Sequence, residues 1–324
     1  LREFVENHGI PVFATPQGRG IIPEDHPLSM TGARSEAFHE ADVVLLVGTR
    51  LNFILSFGRH PRFAREVKMI QVDIDGEHIG RPRPVEIGIV GDARMVLQQL
   101  VEAGRGRLGN WGESPWVKRL RQAHAQREAE QQAALSSDQV PIHPARLCRE
   151  LRDFLDRDAV LAVDGNVTLN MGRQIIPTHQ PGHRLNCGPF GCLGVAVPFA
   201  IGAKLAKPDK QVVAFTGDGS FGLNGMEMHT AVKHRVPIIV VVNNNGSWDA
   251  TDRDPQRRAP GAWIGEKVRY DQMVVALGGY GELGERPEDI RPALERAAAS
   301  GLPACINVIS DPFTRSETLD FYGY

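Results

Sequence analysis

Residues 216–246 read TGDGSFGLNGMEMHTAVKHRVPIIVVVNNNG, and this stretch decides the fold. An apolar run ends in Gly217-Asp218-Gly219-Ser220, a helical pattern follows, and Pro237 opens a second apolar run that ends in Asn243-Asn244-Asn245. Continuous β-branched runs bounded by glycine or polar residues are the pattern of parallel strands covered on both faces. Two such strands joined by a helix make a right-handed βαβ unit, which brings both carboxyl ends to one edge of the sheet. Asp218 and Asn245 therefore converge although they are distant in the chain. A carboxylate, an amide oxygen and nearby backbone carbonyls are hard oxygen ligands suited to Mg²⁺ or Ca²⁺. Gly217 and Gly219 let the backbone approach an anion closely, and the helix start beyond them favours phosphate. The residues alone predict a divalent ion that bridges protein to a diphosphate.

Outward from this unit the same alternation continues. Strands are predicted over 159–163, 211–216, 236–242 and 304–309, with helices over 145–155, 225–234 and 290–299. In the first hundred residues, Gly9 to Thr15, Ala41 to Gly48 and Val67 to Asp73 read as strands separated by helical patterns. The expected fold class is α/β, with two doubly wound, mostly parallel-sheet domains. The expected boundaries are 1–103 for a first Rossmann-like domain, 104–140 for a linker with a charged helix near Trp116 to Ala134, and 141–324 for the second. A length of 324 residues agrees with two domains at about 150 residues each. Thirty-seven Lys and Arg against 39 Asp and Glu leave a net charge of −2, which argues against nucleic acid or an anionic membrane as partner. No apolar run reaches the ~18 residues of a membrane span. Cys148, Cys187, Cys192 and Cys305 form no CxxC pair and read as reduced thiols of a cytoplasmic protein.

The compound pattern of strand, GDGS, helix, Pro-initiated strand and NNN resembles the thiamin-diphosphate-binding motif of the decarboxylase, acetolactate synthase and acyl-CoA lyase superfamily. The resemblance implies that Asp218 and Asn245 ligate Mg²⁺ through side chains and Ser247 through its backbone oxygen. It places Gly217, Gly219 and Ser220 around the diphosphate. Residues Gly188 to Ala203 (GPFGCLGVAVPFAIGA) resemble the family segment that lines the cofactor rings, which brings in Gly191 and Cys192. Leu193 falls where the family has a bulky aliphatic wedge that holds the cofactor bent. Its competing reading is plain core. Asp164-Gly165-Asn166, at a strand's carboxyl end, reads equally as a wall of the cofactor pocket or as a β-to-α turn with an N-cap.

The first half is similar to the superfamily's central domain from Thr15 to Pro27. GTRLNFILSFG (48–58), Pro61-Arg62-Phe63 and Ile70 to Ile74 are similar to 2-hydroxyacyl-CoA lyases and oxalyl-CoA decarboxylases. So is the tail from Pro312-Phe313-Thr314-Arg315 to Asp320-Phe321. The resemblance implies ADP or FAD in the central domain, with Gly48, Arg50 and Asp73 at strand ends as the contacts. The plainer reading, a surface arginine and a turn cap, is preferred. The segment after Asn245 departs from the lyases, and Arg253, Arg257 and Arg258 there are candidates for CoA phosphates or a substrate carboxylate.

The resemblance further implies a pyrimidine-binding domain whose Glu activates the cofactor. No such Glu is expected here, Glu227 being on the diphosphate side. That domain is expected ahead of Leu1 or on a partner chain, and association into a homo-oligomer is expected with it. The implied substrate is a 2-hydroxyacyl-CoA, with a 2-oxo acid for an acetolactate synthase-like carboligase as the alternative. A non-catalytic nucleotide- or diphosphate-binding subunit is the reading from a different class.

Overall fold

The computed structural model describes residues 1–248, 255–257 and 261–315. They form two compact units. The first contains Leu1–Thr15 and Ile21–Glu130, the second Pro16–Gly20 and residues 131–315.

The first unit carries α1 (Arg2–His8), α2 (Arg34–Glu40), β1 (Val43–Val47), β2 (Lys68–Asp73), β3 (Ile87–Val90), α3 (Ala93–Gly104) and most of α4 (Pro115–Leu135). Its three strands are parallel and ordered β1-β2-β3, with Val47 opposite Val72 and Val72 opposite Ile89. Asp92 caps α3 by accepting from the N–H groups of Arg94 and Met95, the usual stabilising role of an N-cap carboxylate. One core layer joins Phe4, Met30, Leu97, Val101 and Leu120, and a smaller one Leu46, Leu51, Phe63 and Met69.

The expected strand over Gly9 to Thr15 is not formed. Val12 makes one isolated bridge to Ser29, and Pro11, which has no N–H, cannot extend a ladder. β3 was missed by the sequence pattern because it is mostly exposed and lacks a long apolar run.

The second unit carries α5 (Pro144–Phe154), β4 (Val160–Asp164), α6 (Asn166–Ile175), β5 (Arg184–Leu185), α7 (Ala196–Ala206), β6 (Val212–Gly217), α8 (Asp218–Asn224), α9 (Met228–His234), β7 (Ile239–Asn244), α10 (Tyr270–Ala276), β8 (Tyr280–Gly284), α11 (Pro287–Ser300) and β9 (Ala304–Ile309). All pairings are parallel, in the order β5-β4-β6-β7-β9-β8. β4, β7 and β9 are buried at every residue, which is why their sequences are mostly apolar, with polar residues only at Asp164, Asn243, Asn244 and Asn307. Alternate residues serve opposite faces. Leu161, Val163, Phe215, Val241 and Ile306 pack with α5, α6 and α11. Ala162, Ala214, Val240, Val242 and Cys305 pack with α7, α8, α9 and α10.

The helix expected over 225–234 is α9 from Met228, preceded by a tight turn at Gly225–Glu227 that separates it from α8, a helix the pattern did not assign. A Cβ on Gly225 would lie 2.8 Å from the Phe221 ring, so the buried ring fills the space where a continuous side-chain row would run.

Candidate functional site

The helix after β4 packs on one face of the sheet and the helices after β6 on the other, so the carboxyl ends of β4 and β6 part at a topological switch point. Open α/β sheets hold ligands in such crevices. Three turns meet there, at Asp164-Gly165-Asn166, Gly217-Asp218-Gly219-Ser220 and Asn245-Gly246-Ser247.

The structure brings Asp218 to Asn245 as the spacing predicts. Asp218 is 2% exposed, and it accepts from Gly219 N–H at 2.9 Å and from Gly246 N–H at 2.7 Å. Asn245 Oδ1 accepts from Ser247 N–H at 3.1 Å. Gly246 takes φ 70°, which folds the chain back, and a Cβ there would sit 2.9 Å from the Gly265 carbonyl oxygen. Burial pushes the Asp218 carboxyl up to about 6, and every group that pulls it back is a backbone N–H. A buried carboxylate compensated only by neutral dipoles favours a cation beside it.

This donor set fits the implied group. One carboxylate, one amide oxygen and adjacent carbonyls are the ligand types of Mg²⁺. Among the described residues no cluster of three or more His, Cys, Asp and Glu is present, so nitrogen- or thiolate-rich metal sites have no counterpart there.

Asp164 does not cap α6, whose N-cap is Gly165 without a side-chain bond; it reaches the start of α7 instead. Its Oδ2 accepts from Val195 N–H at 2.6 Å and Ala196 N–H at 3.2 Å, fixing the start of α7 and the loop before it. Thr168 Oγ1 donates to its carbonyl oxygen. Asn166 accepts from Asn170 Nδ2 at 2.7 Å inside α6. Gly165, at φ 94°, lets β4 approach β6, because a Cβ there would be 3.2 Å from Gly217 N and 2.8 Å from Thr168 Oγ1.

The loop Gly188–Val195 lies beside α8, with Asn224 Nδ2 donating to the Gly194 carbonyl at 2.8 Å. Gly191, Cys192 and Leu193 are all exposed. Leu193 is 39% exposed, so plain core does not describe it. Phe190, beside it, is 91% exposed.

Sequence reasoning missed three neighbours of Asp218 and Gly219. A Cβ on Gly219 would meet Trp248 at 3.0 Å and Ile264 at 3.3 Å, so the glycine admits an apolar cover. Trp248 is held by its N–H to the Ala262 carbonyl, in a short antiparallel return from residues 262–264. Tyr270 is pushed up to about 12 by burial and by the nearby charge of Asp218. No local signal marks these residues, since each reaches the site through the fold.

Glu227 accepts from Thr230 Oγ1 within its own helical turn. In the first unit Arg50 is exposed, and Asp73 accepts from Asp75 N–H at 3.0 Å, as a turn cap does. Arg257 is exposed. Arg253 and Arg258, with Asp320 and Phe321 of the tail, lie outside the described residues.

A doubly wound parallel sheet with an acidic glycine turn and an asparagine turn at its switch point defines a nucleotide- or diphosphate-binding α/β protein. Comparison with known proteins narrows the class. Residues 165–308 match the thiamine pyrophosphate enzyme C-terminal TPP binding domain, and residues 1–100 match the thiamine pyrophosphate enzyme central domain. A probable acetolactate synthase of Mycobacterium bovis is 41% identical over 316 residues, covering 96% of this chain and 56% of the relative. A 2-hydroxyacyl-CoA lyase of Oryza sativa subsp. japonica is 35% identical over 98% of this chain and 57% of its own length. An oxalyl-CoA decarboxylase of Escherichia coli (strain K12) is 34% identical over 98% of this chain and 57% of its own length. The chain belongs to the thiamine pyrophosphate enzymes, with their central and TPP-binding domains, and spans little more than half the length of these relatives.

Proposed function

We propose that the chain is the central and diphosphate-anchoring part of a thiamin-diphosphate-dependent C–C lyase or decarboxylase acting on a 2-hydroxyacyl-CoA. The observation that carries this reading is the buried Asp218 carboxylate, raised to about 6 and paired only with N–H groups at the switch point beside Asn245. Asp218, Asn245 and the Ser247 backbone oxygen would hold Mg²⁺, and Gly217, Gly219 and Ser220 would border the diphosphate. Gly191, Cys192, Leu193 and Asn166 would border the rest of the cofactor, with Leu193 as its wedge. When bound, thiamin diphosphate supplies a nucleophilic carbon and an electron sink for breaking the C–C bond next to a carbonyl. The chain's own part is to anchor and orient the cofactor, with Trp248 and Ile264 packed against Gly219.

A second reading, carboligation of 2-oxo acids, is favoured by the relative named acetolactate synthase at 41% identity. In both readings the activating Glu comes from a pyrimidine-binding domain, on the same polypeptide or a partner, in a homo-oligomer. ADP or FAD in the first unit is the remaining ligand proposal. A cytoplasmic setting is supported by four free cysteines; among the described residues no helix is long and apolar enough to cross a membrane.

Titration of thiamin diphosphate with Mg²⁺ into the wild type and Asp218→Ala tests the anchor. Loss of a carboxylate ligand should weaken Mg²⁺-dependent binding at least tenfold, and equal affinity in both proteins refutes the assignment. With the pyrimidine-binding domain supplied, conversion of a 2-hydroxyacyl-CoA to an aldehyde and formyl-CoA supports the lyase. Conversion of pyruvate to acetolactate with FAD bound supports the carboligase.

A further inference from the structure

The four cysteines divide into two kinds. Cys148 and Cys305 are fully buried in opposite core layers, and burial lifts Cys148 to about 12 and Cys305 higher still. Cys187 is half-buried and Cys192 exposed, and both lie in the loop that carries Leu193.

The second pair flanks one tight turn of that loop. Cys187 and Cys192 flank the turn Gly188–Phe190, which closes through Gly191 N–H to the Gly188 carbonyl at 3.3 Å. Gly188 and Gly191 take φ 57° and 65°, so the chain doubles back between the two thiols. Asn186 pins the start, accepting from Gly188 N–H at 2.8 Å and from Gln17 Nε2 at 3.0 Å. Asp164 pins the far end at Val195 and Ala196. A disulfide needs Cβ atoms about 4 Å apart, a span that a short doubled-back loop can close.

We propose that Cys187 and Cys192 are an oxidisable dithiol that a small hydroperoxide converts into a disulfide within the loop. The exposed Cys192 reacts first, as thiolate. Its sulfur attacks one peroxide oxygen, the O–O bond breaks, and hydroxide leaves and takes up a proton as water. Cys187 then attacks the sulfenic sulfur, the S–S bond forms, the S–O bond breaks, and a second water leaves. Two thiols lose two protons and two electrons, and one hydrogen peroxide becomes two waters. Because Leu193 follows Cys192 directly, the disulfide restrains the segment proposed to face the cofactor. That consequence rests on the proposed function, whereas the disulfide itself does not.

The test treats the chain with a slight excess of hydrogen peroxide and reads both thiols and cofactor binding. The expected result is a mass lower by about 2 Da, the two hydrogens lost in disulfide formation. Cleavage after Phe190 by chymotrypsin should leave the two fragments linked until a reductant is added. Cys187→Ser and Cys192→Ser should each abolish the link. Affinity for thiamin diphosphate with Mg²⁺ should fall about tenfold and return on reduction, a change of about 1.4 kcal/mol. Persistence of both thiols, over-oxidation of Cys192 with Cys187 still free, or linkage between two chains overturns the dithiol. A disulfide that forms and leaves affinity unchanged overturns the coupling to the cofactor. If the reduced chain binds no thiamin diphosphate, the proposed function fails and the mass and cleavage results still decide the dithiol.

Discussion

Replacing Asp218 by Asn separates the charge of the buried carboxylate from its shape. The carboxyl sits at about 6 instead of 3.8 in the folded chain because burial outweighs the N–H groups around it. A rise of this size corresponds to about 3 kcal/mol of penalty for ionising it in the fold. The folded state holds the proton longer than the unfolded chain. The penalty is therefore absent below the ordinary carboxylate value, grows as pH rises towards 6, and is complete above it. Asp218→Asn carries no such penalty, but it has one accepting oxygen where Asp218 uses two, for Gly219 and Gly246. That loss costs about 1–3 kcal/mol at every pH. The diagnostic quantity is consequently the change with pH in the stability difference between the two proteins. From about pH 4.5 to about pH 8 the chelated wild type should lose about 2 kcal/mol relative to the variant, measured by urea unfolding. Saturating Mg²⁺ with diphosphate should erase this loss in the wild type, because a cation beside the carboxylate favours its ionised form. Parallel stabilities of wild type and variant across that range would refute the argument.

Three further substitutions probe the same edge. Leu193→Ala should cost less than about 1 kcal/mol by urea unfolding, against 2–5 for a core leucine, while thiamin diphosphate affinity falls; a core-sized loss would rule out the wedge. Asp164→Ala leaves the Val195 and Ala196 N–H groups without their buried acceptor, and a loss of about 2–3 kcal/mol is expected in the same assay. Gly165→Ala combines φ 94° with a Cβ 2.8 Å from Thr168 Oγ1. It should cost at least ~2 kcal/mol, and wild-type stability would contradict the close approach of β4 to β6.

What the sequence discloses follows from which strands are covered. β4, β6, β7 and β9 lie inside the sheet and need apolar side chains on both faces, so their runs stand out. β3, β5 and β8 are edge strands with shorter or half-exposed patterns, and YGELG at Tyr280–Gly284 gives no such signal. Gly9 to Thr15 shows the converse, an apolar run that forms no strand because Pro11 cannot donate to a ladder. At the site, Asp218 and Asn245 are legible because strand ends fix their positions. The role of Asp164 is not, since a strand-end carboxylate suits a pocket wall and a helix cap equally. Trp248, Ile264 and Tyr270 depend on how later chain segments return to the edge, which no local spacing encodes.

The short segment Pro16–Gly20 belongs with the second unit, although residues 21–130 of the first follow it in the chain. Arg19 donates to the buried Ile176 carbonyl at 3.1 Å, and Gln17 reaches Asn186 at 3.0 Å. A Cβ on Gly20 would lie 2.2 Å from the Gln180 carbonyl oxygen, so that glycine is packed against the later chain as well. During synthesis this segment emerges first and must wait until residue 186 has been made before its bonds can close. Loop closure over such a span carries an entropic cost that grows only slowly with length, so the delay is mainly one of order. The two units are thus interleaved along the polypeptide, and a single cut near residue 130 yields a second unit lacking the donors of Gln17 and Arg19.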